Sequence, residues 1–408
     1  MLRKTIKIAL IINILLGMIF AQNAHQDIGF FEEYKSEFWD QVADEIDTYS
    51  KSTENNNKYF KVDVSEWDLP DDLSDFSQYW HNESVNQGRT GTCWSFSSTS
   101  FFESEIFRQT GKKYRLSVMY TVYWETVEKA RRFVKECGNS EFSQGSLFNA
   151  TVREWQKYGV VPHDVYTGLK PDQKHHDHSA LWTEMQTYLD HIKSTNNWNE
   201  TEVVSTIKSI LNFYLGKPPE NFTINNKTYT PKQYLKKLLK LDLENYVNLM
   251  SLKEIPYYDI GVYNVPDNWW NSAEYYNVPL EVFMATIDET IEMGYTIGIG
   301  GDVSEAGMLA KHDVAVIPSF DIPTKYIDDH ARQFRFSNRS TTDDHAMHLV
   351  GYKDYGGVRW YLIKDSGSGG HSGNLAGYYF YHEDYVKLKM MNLIIHKDAL
   401  TALIKKFN

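Results

Sequence analysis

One segment of the chain combines a reactive side chain with backbone features that would activate it. Residues 87–94 read Gln-Gly-Arg-Thr-Gly-Thr-Cys-Trp, so Cys93 stands where a glycine-containing loop meets a stretch of helical periodicity. A helix N-terminus carries positive partial charge and free N–H groups, which favour a thiolate over a thiol. The backbone amide of Cys93 and the side-chain amide of Gln87 are suited to donate to a developing oxyanion. The segment predicts a nucleophilic cysteine in a site for acyl transfer.

The same residues resemble the active-site segment of papain-like cysteine peptidases. Gln87, Cys93 and Trp94 stand at the positions of that family's glutamine, nucleophile and tryptophan, while Thr90 replaces its common disulfide cysteine. The resemblance implies an α+β, papain-like fold of two lobes, one helical and one β-rich, with the active site between them. It also implies hydrolysis of a peptide or protein substrate without a metal or organic cofactor.

The family next requires a histidine on a strand of the second lobe. The stretch that begins at His345 resembles that strand closely. An imidazole opposite the thiol keeps the sulfur nucleophilic and later protonates the leaving amine. His348 is a rival, but three residues further along a strand it should face the other way.

Further features resemble the bleomycin hydrolase and aminopeptidase C branch of this family. The triplet His-Ala-Met at 345–347 is the form typical of that branch. The interval between Cys93 and His345 exceeds the roughly 130–150 residues of ordinary papain relatives. The excess falls at about residues 165–280, where the branch carries a helical insertion.

The family's orienting asparagine and its shielding tryptophan are both replaced. Asp365 stands at the asparagine position and Gly367 at the tryptophan position. A carboxylate can accept the imidazole N–H as an amide oxygen does, so Asp365 is the orienting residue that the resemblance implies. Without the indole, we expect water to reach this hydrogen bond.

Papain-like peptidases bind the substrate backbone like an added strand through two adjacent glycines, and two residues of this chain correspond to them. They are Gly145 and Ser146, and Ser146 departs from the second glycine. Together with Trp94 they are the substrate-binding residues that the resemblance implies.

Periodicity places these residues on elements. Helices are predicted over 94–110, 116–133 and 146–158, followed by a helical pattern over 171–252 and a helix over 279–293. Alternation then predicts strands within 295–299, 345–352, 358–363, 378–381 and 391–395. A helical first half followed by a strand-rich end is an α+β layout with two layers around a cleft.

The N-terminus has the pattern of a secretory signal. Arg3, Lys4 and Lys7 precede an apolar run over 8–21, which predicts a signal peptide over 1–21 and a secreted or periplasmic protein. An uncleaved anchor is the alternative, whereas cleavage would leave no stable membrane insertion. Residues 22–80 form a predicted polar leader across the surface, with a propeptide as the other interpretation. The peptidase domain then spans 81–400 and a tail spans 401–408.

Composition narrows the range of partners. The net charge is −12, with 42% hydrophobic and 24% charged residues, as in ordinary globular proteins. Because no concentrated basic face is evident, no nucleic-acid partner is expected. A homo-oligomer is compatible with the sequence.

Two other features of composition bear on chemistry. Cys93 and Cys137 are the only cysteines and could bridge, yet we expect Cys137 to be a structural or idle thiol. The run His-His-Asp-His at 175–178 is predicted to be a solvated loop rather than a metal site.

The resulting hypothesis is a secreted cysteine peptidase, with internal cleavage favoured over strict removal of amino-terminal residues. In bleomycin hydrolase-like enzymes a C-terminal arm brings its carboxylate into the cleft, where it meets the substrate's ammonium. Here residues 399–408 have a helical pattern, and a helix rises only about 1.5 Å per residue. The alternatives are an aminopeptidase of that type, a catalytically silent peptide-binding protein and a cysteine-dependent acyl or amide transferase.

Overall fold

The helix that begins at Cys93 lies at the centre of the helical lobe. In the computed structural model, which describes residues 27–33 and 58–407, helix α1 spans Cys93–Thr110. Every residue of Trp94–Ile106 is buried, because other helices and the long strand that begins at His345 pack against it. A helix buried on all sides needs no amphipathic pattern, and α1 has little of one.

Seven longer helices follow α1. They are α2 (Val118–Lys135), α3 (Phe148–Tyr158), α4 (Ser179–Thr195), α5 (Glu200–Leu215), α6 (Leu280–Glu292), α7 (Asp329–Ser337) and α8 (Glu383–Lys389). Shorter helical segments span Pro231–Gln233, Tyr234–Leu239 and Thr401–Ile404.

Strands outside the main sheet form two two-stranded antiparallel sheets, and the remaining strands build an eleven-stranded sheet. The two-stranded sheets are β1 (Gly29–Glu33) with β2 (Lys58–Val62), and β4 (Phe222–Ile224) with β5 (Lys227–Tyr229). The sheet contains β3 (Ser77–Gln78), β6 (Tyr246–Met250), β7 (Ile260–Gly261), β8 (Tyr275–Asn277), β9 (Ile297–Gly301), β10 (Met308–Leu309), β11 (Val314–Ala315), β12 (His345–Tyr355), β13 (Val358–Lys364), β14 (Tyr378–His382) and β15 (Met390–His396). Its order is β10-β11-β14-β13-β12-β9-β15-β6-β8-β7, with β3 paired to β12.

Two large cores correspond to the two lobes and confirm the predicted α+β class. The first joins the helices and contains Phe101, Phe102 and Trp155, all fully buried. The second lies on one face of the sheet, under α6 and α8, and includes Ile287 and Tyr385. The helix that carries Cys93 and the strand that carries His345 meet between these cores.

The predicted helical run over 171–252 is wrong at its end. Its helical part stops at Leu239, and Tyr246–Met250 is a strand of the main sheet. Four of the five residues of this strand are buried, so both of its faces are covered. Such a strand lacks polar alternation and is hard to distinguish from a buried helix by pattern.

The predicted leader is more than a surface segment. Val62, Val64 and Phe76 are buried in the core of the β-rich lobe, where Phe76 stacks on Phe380 with ring centroids 4.5 Å apart. The segment continues into β3, which pairs with β12. The predicted signal peptide lies outside the described residues. Within 27–33 and 58–407, no helix is both long and apolar enough to cross a membrane.

The C-terminal tail is helical, as its pattern predicts. After the short helix Thr401–Ile404, Phe407 packs edge-on against Tyr276 with ring centroids 4.7 Å apart, and against Tyr258 at 5.9 Å. These contacts hold the end of the described chain beside β8.

Candidate active site

Cys93 and His345 meet because each stands at the first residue of its element. Cys93 begins α1, and His345 begins β12, where it pairs in register with Gly301 of β9. Burial alone would lower the pKa of His345, but Asp365 and Cys93 together raise it well above its ordinary value. The site therefore holds an imidazolium beside the sulfur, which is the partner that a thiolate needs.

The Asp365 carboxylate completes a row of three side chains. His345 Nε2 and Asp365 Oδ1 are 2.6 Å apart, and the Gly367 amide donates to the same oxygen at 2.8 Å. Burial would raise the pKa of Asp365, but His345 and the Gly367 amide lower it. Since Nε2 faces Asp365, Nδ1 is the nitrogen that remains for Cys93.

The expectation that water reaches this hydrogen bond is wrong. Only 11% of the His345 side chain and 4% of the Asp365 side chain are exposed, although glycine replaces the indole. A Cβ at Gly367 would lie 3.2 Å from His345 Cε1, and one at Gly370 would lie 3.1 Å from Asp365 Oδ2. The backbone of the turn over 367–371 therefore covers the pair directly.

Gln87 is fixed by hydrogen bonds on both ends of its amide. Ser366 Oγ donates to Gln87 Oε1 at 2.8 Å, and Gln87 Nε2 donates to the Thr90 carbonyl at 2.6 Å. The orientation of the Gln87 amide is thus fixed, and one of the two hydrogens on Nε2 remains to donate to an oxyanion.

Trp94 acts on the site through the neighbouring segment rather than by touching a substrate. It is 1% exposed, and its Nε1 donates to the Gln144 carbonyl at 3.0 Å. This bond holds the residues that precede Gly145 and Ser146 against the start of α1. The predicted substrate contact of Trp94 is therefore wrong, because the indole faces the helical core.

The unexpected serine of the substrate-binding pair also has a structural partner. Ser146 Oγ donates to Glu125 Oε1 at 2.6 Å, and Glu125 is 2% exposed. Lys129 Nζ donates a hydrogen bond to the carbonyl of Gly145, the residue before Ser146. A Cβ at Gly145 would lie 2.2 Å from Asp267 Oδ1, so a larger residue there would have to displace the Asp267 carboxylate.

His348 faces away from the nucleophile, as strand geometry predicts. It is fully buried, and its Nδ1 lies 2.8 Å from Ser100 Oγ. Burial and Lys364 hold the pKa of His348 well below its ordinary value. A neutral imidazole on the inner face of the sheet cannot replace His345.

The run at 175–178 is packed, not solvated. Arg89 N donates to the His176 carbonyl at 2.8 Å, and His178 N donates to the Arg89 carbonyl at 3.1 Å. His178 is 1% exposed, and burial lowers the pKa of His176 to about 3. Through these two backbone hydrogen bonds, residues 175–178 hold the loop before Cys93 in place. No cluster of three metal-ligating side chains occurs within the described residues.

A small cavity beside the nucleophile contains a residue that sequence reasoning missed. Its volume is about 10 Å³, and its lining includes Cys93, Ser146, Asp267, Asp343 and His345. Asp267 lies in the loop over 262–274 and carries no motif of its own. The only signal near it is the pair of tryptophans at 269–270, and one sequence cannot assign them a role.

Both cysteines are free thiols, so no bridge competes with chemistry at Cys93. Cys137 is exposed at the end of α2, in a left-handed backbone conformation with a φ of 51°. It lines no part of the cavity beside the nucleophile.

Comparison with known proteins places these features in a family. A profile described as the Peptidase C1-like family matches residues 27–408. Aminopeptidase C of Listeria monocytogenes is 25% identical over 370 residues, which cover 79% of this chain and 82% of that protein. Aminopeptidase C of Streptococcus thermophilus is 24% identical, with coverage of 79% and 82%. The solved structure of PepW from Lactobacillus rhamnosis covers 81% of this chain and 83% of that chain, with a TM-score of 0.67 at 18% identity, and so shares the fold.

Proposed function

Because this chain belongs to the Peptidase C1-like family and is a cysteine-type peptidase, we propose that it cleaves peptide bonds through a thioester on Cys93. The sulfur attacks the carbonyl carbon while the Cys93 amide and Gln87 donate to the oxyanion. The C–N bond then breaks, and His345 gives its proton to the leaving amine. Water, deprotonated by His345, hydrolyses the thioester and restores the thiol.

One observation supports these roles most directly. His345 is held between Asp365, at 2.6 Å, and Cys93, and both raise its pKa. A silent peptide-binding protein would need neither the buried carboxylate nor the raised pKa, since a buried charge is costly unless it is paired. The replacement of asparagine by Asp365 therefore does not argue for loss of activity.

The first prediction separates the two thiols of the chain. Cys93→Ala should abolish hydrolysis of a peptide mixture, because no other group in the cavity can form the thioester. Cys137→Ser is the matched control and should leave the rate within about twofold, since this thiol is exposed and remote from the cavity. Turnover is followed by mass spectrometry of the products. Activity of Cys93→Ala near the parent level would refute the proposed mechanism.

The position of cleavage along the substrate has two candidates. Internal cleavage is the expectation from the sequence, and it is supported by the helical tail, whose Phe407 contacts Tyr276. Removal of amino-terminal residues is favoured by the relatives, since those compared above carry the name aminopeptidase C.

Export from the cell is a further part of the proposal. It is supported by the three basic residues and the apolar run of residues 1–21. Amino-terminal sequencing of the mature protein from its native host tests it. A first residue at or near Gln22 is expected, and an intact Met1 on a protein retained in the cell would contradict it.

A further inference from the structure

An unpaired carboxylate faces the cleft beside the nucleophile. Asp267 is half-buried and lines the cavity that also contains Cys93 and His345. Among the residues that the structure describes, none donates a hydrogen bond to its carboxylate or forms an ion pair with it. The neighbouring cation, Lys129, directs its Nζ to the carbonyls of Ser143 and Gly145 instead. The Asp267 carboxylate is therefore free to accept from a cation or a hydrogen-bond donor that enters the cleft.

The loop that carries Asp267 is held rigidly. Asn268 Nδ2 donates to the Tyr263 carbonyl at 2.9 Å and to the Ser272 carbonyl at 3.0 Å, which closes the loop on itself. Trp269 Nε1 donates to Glu125 Oε1 at 2.6 Å. Since Ser146 donates to the same Glu125 oxygen, one buried carboxylate fixes both Asp267 and the substrate-binding pair.

The cavity next to Asp267 accepts one small group. Its volume of about 10 Å³ is close to the space that a single water occupies. An ammonium group is of similar size, whereas the methylene chain of a lysine or an arginine side chain would need more room. The cavity therefore fits an amine carried directly on the first residue of a substrate.

The second carboxylate of the cavity does not compete for this role. Burial and the charge of Asp267 raise the pKa of Asp343 well above its ordinary value. Asn392 Nδ2 lies 3.1 Å from Asp343 Oδ2. The neutral form of Asp343 is thereby favoured, and Asp267 is the carboxylate of the cavity that carries the negative charge more readily.

Asp267 also obstructs the strand-like path that a longer substrate would follow. Its Oδ1 lies so close to the Gly145 Cα that a Cβ there would be 2.2 Å away. The Gly145 carbonyl is already occupied by Lys129. A peptide that continued past the residue bound beside Cys93 would meet this carboxylate instead of a free edge.

We propose that Asp267 binds the free α-amino group of the substrate, so that the enzyme releases residues from the amino terminus. An internal side chain then takes the role that the C-terminal carboxylate has in bleomycin hydrolase-like enzymes and that the helical tail of this chain is not expected to fill. The proposal rests on the proposed function of Cys93 and adds the residue that selects where a peptide is cut. It favours the aminopeptidase alternative over internal cleavage.

Because Asp267 is titratable, the affinity for a substrate ammonium should depend on pH. Burial raises the pKa of this carboxyl to about 6, while Lys129 opposes the rise. The other groups that face it are Glu125, Glu141, Asp343, Asp344 and, across the cavity, the Cys93–His345 pair. As the pH falls through about 6, Asp267 becomes neutral and loses its attraction for an ammonium. KM for a substrate with a free amino group should rise over this interval.

The test compares three kinds of substrate. The first is a panel of single-residue aminoacyl coumarin amides with a free α-amino group, and the second is the same panel with that group acetylated. The third is an N-acetyl dipeptide coumarin amide whose only amine is a lysine side chain in the first residue. The parent enzyme should cleave the free-amine panel at least about tenfold better in kcat/KM than the acetylated twins. Asp267→Asn should lose about tenfold or more on the free-amine panel, mostly through KM. Its KM should also lose the rise below pH 6.

Controls separate this proposal from the function on which it rests. Glu274→Gln neutralises an exposed carboxylate at the other end of the same loop and should change nothing. Labelling of Cys93 by an epoxide-type thiol inhibitor shows that Asp267→Asn is folded. If the parent cleaves the acetylated twins equally well, or if Asp267→Asn affects both panels alike, Asp267 is not the anchor. An effect confined to the lysine-bearing substrate assigns Asp267 to a side-chain pocket and also overturns the proposal. Failure of the thioester mechanism would appear separately, as activity in Cys93→Ala.

Discussion

At the scale of single residues, the site depends on a carboxylate where related enzymes have an amide. Asp365 is buried, yet its pKa is lowered, because His345 and the Gly367 amide stabilise the charged form. The pair can therefore stay charged in a region that excludes water. A formal negative charge supports the imidazolium more strongly than an amide oxygen does.

Replacing this carboxylate should change the pH dependence more than the rate at the optimum. Asp365→Asn keeps an acceptor for the His345 N–H but removes the charge that raises the pKa of His345. The imidazolium then loses its proton at lower pH, so the alkaline limb of kcat/KM should move to lower pH. Asp365→Ala removes the acceptor as well and should cost at least about tenfold.

The matched control is Asp344→Asn, which neutralises a neighbouring exposed carboxylate whose Oδ2 accepts from Ser304 Oγ. It should leave the alkaline limb in place. The complete pH profile of each variant provides the measurement. An unchanged profile in Asp365→Asn, or an unchanged rate in Asp365→Ala, would remove Asp365 from the triad.

Residue-level prediction succeeds where a residue belongs to a local motif. The loop before Cys93 and the strand start at His345 both have recognisable neighbours, and the structure brings these two side chains together with Asp365. Asp267 has no such neighbours. It reaches the cleft only because its loop is tied to Glu125, a contact between residues far apart in the chain.

At the scale of elements, the loop before the nucleophile is set by a contact with the inserted segment. Gly88 has a left-handed φ of 67°, and a Cβ there would lie 2.2 Å from the His176 carbonyl. The same carbonyl accepts from Arg89 N. The insertion therefore helps to position the loop before Cys93, in addition to enlarging the helical lobe.

Gly88→Ala should disturb both stability and catalysis. Alanine pays about 1–2 kcal/mol for the left-handed conformation and about 1–3 kcal/mol more for the overlap with the His176 carbonyl. Gly111→Ala is the control, because Gly111 has the same φ of 67° and nothing within 4 Å of a Cβ. Gly111→Ala should therefore lose only the free energy that the left-handed conformation costs.

Urea unfolding and kcat/KM together measure the difference between these variants. The contact with His176 should appear as at least about 1 kcal/mol of extra destabilisation in Gly88→Ala, together with a lower rate. Equal losses of stability in the two alanine variants would mean that this contact is unimportant.

Element boundaries were predictable where the periodicity is simple. The helix expected over 94–110 is Cys93–Thr110, and the one expected over 279–293 is Leu280–Glu292. The strand Tyr246–Met250 was missed because it is covered on both faces, and its place beside β15 depends on pairing with a segment far along the chain. Local pattern carries no information about such a pairing.

At the scale of the whole molecule, two lobes meet where Cys93 and His345 line a common cavity. The α+β class followed from the order of helical and alternating patterns. The position of the loop over 262–274 did not, since it depends on the hydrogen bond from Trp269 of this loop to Glu125 of α2. The tail, whose helical pattern predicts that it is too short to bring its carboxylate into the cleft, lies with Phe407 against Tyr276.

The central claim is that Cys93 is the nucleophile and that His345 activates it. The most direct measurement is the rate and position of covalent labelling by an epoxide-type thiol inhibitor, read by peptide mapping with mass spectrometry. The account predicts one label per chain on Cys93, unchanged in Cys137→Ser and slowed at least about tenfold at neutral pH in His345→Ala, because the thiolate loses its imidazolium partner. A label confined to Cys137, or a labelling rate at Cys93 that does not depend on His345, would contradict it.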